Sequence, residues 1–74
     1  MTVEVEAYSG YKANERPLRF RLGPRWYEGR EVLDRWYSPE AVWFKLVAGD
    51  GNIYILRLDE TTQEWSLGAF RAGP

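Results

Sequence analysis

Arginine and aromatic side chains share the middle of this chain, and together they are the residue types best suited to recognition. Arg19, Arg21, Arg25, Arg30, Arg35 and Arg57 are interleaved with Trp26, Tyr27, Trp36 and Trp43. A guanidinium neutralises phosphate or carboxylate, and an indole or phenol offers a flat face to a base, a ring or a cation. That composition suits a single-stranded nucleic-acid face. It suits equally a protein-binding surface, where Trp, Tyr and Arg dominate the energetics. The candidate binding set is Arg16, Arg19, Arg21, Arg25, Trp26, Tyr27, Trp43 and Arg57. Trp26-Tyr27 lies between Gly23-Pro24 and Gly29 and reads as a loop, which has little structural need for two adjacent rings. The segment from Tyr8 to Arg16 is a second candidate loop. The plain alternative is that these arginines cover apolar edges with their methylene stems and pair with glutamates.

Catalysis finds little support. The chain has no His and no Cys, which removes most general-base and nucleophilic schemes and the usual transition-metal ligands. Of its acids, Glu4, Glu6, Glu60 and Glu64 fall at positions that face solvent, and Asp34 beside Arg35 reads as a structural partner rather than a base. Ser9, Ser38 and Ser66 have no base at a recognisable spacing, and Gly49-Asp50-Gly51 is a turn rather than a phosphate cradle. The expectation is a protein that is not an enzyme and carries no cofactor and no metal. A net charge of -1 gives no bulk attraction to nucleic acid. This favours a small binding or assembly module, with a protein partner or a second copy, over the alternative of a single-stranded nucleic-acid-binding domain. Met1 to Glu6 lacks a basic then apolar leader pattern, and no window approaches the ~18 apolar residues of a membrane helix. No membrane association and a cytoplasmic location are therefore expected.

The elements that must hold such a surface are strands. Val42 to Val47 and Ile53 to Leu58 are β-rich runs flanking Gly49-Asp50-Gly51, the strongest hairpin signal in the chain. A three-residue loop with Gly51 left-handed pairs Phe44 with Leu56, Val42 with Leu58 and Leu46 with Tyr54. One face is then apolar. The other carries Trp43, Lys45 and Val47 against Ile53, Ile55 and Arg57, with Trp43 opposite Arg57 for a cation–π contact. Val3, Val5 and Ala7 alternate with Glu4 and Glu6, giving a first strand over Thr2 to Tyr8. Pro17 opens a second strand, in which Leu18, Phe20 and Leu22 alternate with outward Arg19 and Arg21. Arg30 to Tyr37 is read as a third strand, helix being the alternative, with Gly29 allowing a bulge near its start. Ser38-Pro39-Glu40 turns the chain. A four-residue loop, Asp59 to Thr62, then pairs Arg57 with Glu64, Leu56 with Trp65 and Tyr54 with Leu67, and sets Phe44, Leu56 and Trp65 side by side. Gly68 to Pro74 reads as a frayed tail. The sum is one all-β domain over residues 1–74: a six-stranded antiparallel meander that curls into a rolled sheet or small SH3-like barrel to cover its apolar face.

Several of these stretches also resemble a family of small bacterial proteins carrying a domain of unknown function. The likeness is carried by Tyr8-Ser9-Gly10-Tyr11-Lys12, Glu15-Arg16-Pro17, Asp34-Arg35-Trp36-Tyr37, Trp43-Phe44-Lys45, Asp50-Gly51, Tyr54-Ile55-Leu56-Arg57 and Trp65-Ser66-Leu67. Leu46, inserted between Lys45 and Val47, departs from the family pattern. A looser similarity links the second half to a small C-terminal domain of proteins related to Y-family DNA polymerases. The resemblance implies strand rather than helix over Arg30 to Tyr37, and it implies no catalytic residue or ligand.

Overall fold

A computed structural model describes residues 2–8 and 16–73. Six antiparallel strands follow in chain order: β1 (Thr2–Tyr8), β2 (Arg16–Leu22), β3 (Arg25–Ser38), β4 (Ala41–Ala48), β5 (Ile53–Asp59) and β6 (Glu64–Arg71). Each pairs with the next and β6 returns to β1, so the sheet closes into a small barrel with no helix among the described residues. The all-β expectation holds in its barrel form. Residues 9–15, expected as a loop, lie outside the described residues, as do the side chains of Tyr8 and Arg16.

The β4–β5 hairpin has the expected register, with Phe44 opposite Leu56, Val42 opposite Leu58 and Leu46 opposite Tyr54. The turn explains why. Gly51 takes φ 85°, which a side chain would disfavour, and its N–H donates to the Ala48 carbonyl at 2.9 Å. Asp50 then ties the turn to the strand. Its carboxylate accepts from Asn52 N at 3.0 Å, Asn52 Nδ2 at 3.1 Å and the Tyr54 hydroxyl at 2.6 Å. Inside, Phe44, Leu46 and Leu56 are fully buried with Phe20 of β2, and Val3, Val42, Ala48 and Tyr54 join them in the core. The outward residues of β1 and β2 meet across strands, Glu4 opposite Arg21 and Glu6 opposite Arg19.

Three sequence-based expectations are corrected. The third strand begins at Arg25, not Arg30, so Trp26-Tyr27 is strand and not loop. Gly23 at φ 60° makes a two-residue turn with Pro24, and β3 pairs with β2 from Leu22 opposite Arg25 to Arg19 opposite Glu28. From Gly29 onward β3 pairs with β4, and the register shifts there and again after Val32. Gly29 is the expected bulge. A Cβ at this position would lie 3.0 Å from the Pro17 carbonyl oxygen, so a side chain here would press on the β2 backbone where β3 changes partner.

The β5–β6 loop is also displaced by one residue. Asp59 opposes Glu64, Leu58 opposes Trp65, Arg57 opposes Ser66 and Leu56 opposes Leu67. The cause is turn chemistry. The Asp59 carboxylate accepts from Thr61 N at 2.9 Å and Thr62 N at 3.1 Å, while Gln63 takes φ 62° and its N–H donates to Asp59 O at 2.7 Å. Trp65 therefore does not sit beside Leu56, although its ring still reaches Phe44 at 5.5 Å. Finally, residues 68–71 are not a frayed tail. β6 continues to Arg71, the Phe70 ring lies 5.2 Å from Tyr54, and Gly73 N donates to Asn52 Oδ1 at 2.9 Å.

Two outcomes check this framework. Gln63→Gly relieves a left-handed side-chain residue and raises the unfolding free energy by about 0.5–1 kcal/mol in a denaturant titration; a loss of stability would contradict the turn. Burial, and then the Asp50 carboxylate, push the Tyr54 hydroxyl up from its ordinary 10.0 to about 12. A raised folded value means its contribution is complete below pH about 10 and is lost as pH rises towards about 12. The stability difference between the native protein and Tyr54→Phe should therefore shrink over that alkaline window, measured by thermal melts at stepped pH.

Candidate binding face

Outward side chains fall on two separate surfaces, and the candidate residues divide between them. On the first, over β1, β2 and the start of β3, Arg19, Arg21 and Arg25 already have partners. Arg21 pairs with Glu4, and Arg19 Nε lies 3.4 Å from Glu6 Oε1. Both guanidinium groups also face the Trp26 ring, at 4.3 Å for Arg19 and 5.9 Å for Arg21. The indole therefore has a cation on one face, and the charges are matched by carboxylates directly across the strands. Arg25, at the hairpin end, sits 5.8 Å from the Tyr27 ring. Tyr27 itself points inward, 5.5 Å from Phe20 and 5.6 Å from Tyr54, so its bulk goes to packing and not to a binding surface. The side chain of Arg16 lies outside the described residues.

The second surface covers the outer side of β3 to β6. Trp36 and Trp43 stack across β3 and β4 with centroids 6.1 Å apart and planes within 5°. Arg57 closes the other side of Trp43 at 5.7 Å, as the hairpin register predicted. Arg57 also lies 3.6 Å from Asp59, whose carboxyl is held below its ordinary value chiefly by the Thr62 and Thr61 N–H groups. Trp43 Nε1 donates to Ser38 Oγ at 3.1 Å. A Cβ at Gly68 would come within 2.9 Å of the Trp43 ring, so glycine on β6 leaves room for the indole. Trp43 is thus a fixed clamp across strands, while Trp36, 36% exposed, ends the stack.

Beside this clamp the outer face turns apolar. Val47 opposes Ile53, Lys45 opposes Ile55, and Ile55 opposes Ala69. A shallow groove of about 130 Å³ is lined by Lys45, Ile53, Ile55, Ala69, Phe70 and Arg71. Lys45 and Arg71 make no ion pair among the described residues. Asp34 lies across from Lys45 but turns its carboxylate to Arg35 N at 2.8 Å, in keeping with a structural acid. Arg35 faces inward, 5.0 Å from the Phe44 ring.

Ile53, Ile55, Lys45 and Arg71 were not among the candidates drawn from the sequence. For Lys45, Ile53 and Ile55 the signal was present in the hairpin register, which set them on the solvent side with Val47; Arg71 fell in the segment read as a tail. Alternation in a half-wet antiparallel sheet calls for polar residues there. Among the described residues, no group of three or more His, Cys, Asp or Glu is placed to hold a metal, and no helix is long and apolar enough to cross a membrane. No family model, curated protein or solved structure matches the chain.

The two stacked indoles should respond differently to truncation. Trp43→Ala removes the clamp and costs roughly 2–3 kcal/mol of stability, whereas Trp36→Ala loses only the outer ring of the stack, about 0.5–1.5 kcal/mol. Equal losses by chemical denaturation would contradict the distinction between clamp and surface.

Proposed function

We propose that this domain is a non-catalytic binding module that takes a protein partner on the outer face of β4, β5 and β6. The observation that carries this is a strip of half-buried apolar side chains, Val47, Ile53 and Ile55, on the outer side of a closed barrel, beside a groove that Lys45 and Arg71 also line. An apolar patch rimmed by charge is the usual mark of an interaction site. The core does not need these side chains, since the interior is already filled by Phe20, Phe44, Leu46 and Leu56. Closure of the barrel also narrows the modes of contact. Strand addition has fewer free edges to use, so a face is the better platform.

Single-stranded nucleic acid is the second reading, and the ladder of Arg57, Trp43 and Trp36 favours it. The ladder's geometry weighs against it. A base stacks on a free ring face, and Trp43 already has the Trp36 indole at 6.1 Å and the Arg57 guanidinium at 5.7 Å as neighbours. Arg19 and Arg21, the other cations beside an indole, are matched by Glu6 and Glu4.

Quantitative cross-linking followed by partner recovery tests the proposal. Ile53→Ser combined with Ile55→Ser should lower recovery of the partner about tenfold or more, and Arg21→Gln on the other surface should change it less than about twofold. Unchanged recovery with the double variant would contradict the proposal. So would a shift of Trp emission on adding oligonucleotide at low salt that reverses at moderate salt, which would support the nucleic-acid reading.

A further inference from the structure

The groove beside Ile55 carries more specific information than an apolar patch alone. Its floor is Ile53, Ile55 and Ala69, and a cation stands at either end, Lys45 on β4 and Arg71 on β6. Lys45 lies in the row with Ile55 and Ala69, while Arg71 lies across from Ile53. Strands are about 4.8 Å apart and residues rise about 3.3 Å, so two strands across and two residues along set the two Cα atoms about 12 Å apart. Neither cation has an ion pair among the described residues. Asp34 opposite Lys45 is turned to Arg35 N, and Glu31 lies opposite Val47.

We propose that this groove takes an extended acidic peptide segment with an apolar side chain between two carboxylates, each four residues from the other. In an extended chain alternate side chains point the same way. Residues four apart span about 13 Å, close to the separation of the two cations. The middle side chain then rests on Ile53 and Ile55, in a groove of about 130 Å³ that has room for one aliphatic group. The carboxylates meet Lys45 and Arg71. Complementary charge sets which partner is accepted and in what register, and the apolar contact supplies affinity. This specificity rests on the protein-binding reading of the same face.

The test is an amide NMR titration with capped peptides of Ser-Glu-Thr-Leu-Thr-Glu-Ser. One control replaces both glutamates by lysine, and a second replaces leucine by serine. The glutamate peptide should shift the amides of Lys45, Ile53, Ile55 and Ala69, and each control should bind at least about tenfold more weakly. Lys45→Glu with Arg71→Glu should reverse the preference in favour of the lysine peptide. Should that variant fail to fold, Lys45→Gln with Arg71→Gln should lose the glutamate peptide without gaining the other. Equal binding of the acidic and basic peptides, or shifts confined to the Glu4 and Arg21 surface, would overturn the proposal. If the glutamate peptide does not bind while Ile53→Ser with Ile55→Ser still abolishes partner recovery, the acidic specificity is wrong and the protein-binding reading stands.

Discussion

One alignment governs the domain: Phe44 opposite Leu56, with Leu46 opposite Tyr54 on the same side. A slip of one residue would set Phe44 opposite Arg57 and Lys45 opposite Leu56, mixing charge with apolar side chains on both faces of the hairpin. The turn guards against that slip. Gly51 supplies the left-handed residue, and Asp50 holds Asn52 and the Tyr54 hydroxyl. In a chain of 74 residues with no disulfide, the buried rings and leucines that depend on this register supply the core. Barrel closure brings Phe20 and Val3 onto the same side chains and so depends on the alignment as well.

The same alignment determines what lies outside. Fixing Phe44 and Leu56 inward forces Trp43, Lys45, Ile55 and Arg57 outward, because neighbours along a strand point to opposite faces. The outer surface is therefore not independent of the core. The Trp43 clamp braces β3, β4 and β6 from outside, and the apolar strip beside it is left for contact. The arginine-rich surface over β1 and β2 is of another kind. Its charges are balanced by Glu4 and Glu6 across the strands, and exposed pairs of this sort add little to stability.

The hairpin was legible in the sequence because two local signals agreed, a glycine-bearing turn and an apolar face in a single register. β1 and the outward arginines of β2 followed from simple alternation. The start of β3 was hidden by its punctuation. Gly23-Pro24 and Gly29 resemble the borders of a loop, yet one pair forms a tight turn and the other residue serves a bulge against Pro17. The β5–β6 register was missed because Arg57 with Glu64 offered an attractive charge pair. The decisive features were the Asp59 carboxylate and a left-handed Gln63, a residue type that rarely signals such a turn. The partners of Arg19 and Arg21 depend on which strands meet, and residue type could not supply that. Ile53 and Ile55 were already outward in the hairpin register, but chemistry drew attention to arginines while the informative anomaly was apolar.

Solvent paramagnetic relaxation of methyl groups in the free protein tests the account most directly. With a neutral soluble probe, the methyls of Ile53, Ile55 and Ala69 should broaden strongly while those of Leu46 and Leu56 remain sharp. Protection of Ile53 and Ile55 to the level of Leu56, or broadening of Leu46 and Leu56 to the level of the isoleucines, would contradict the register and the binding face built on it.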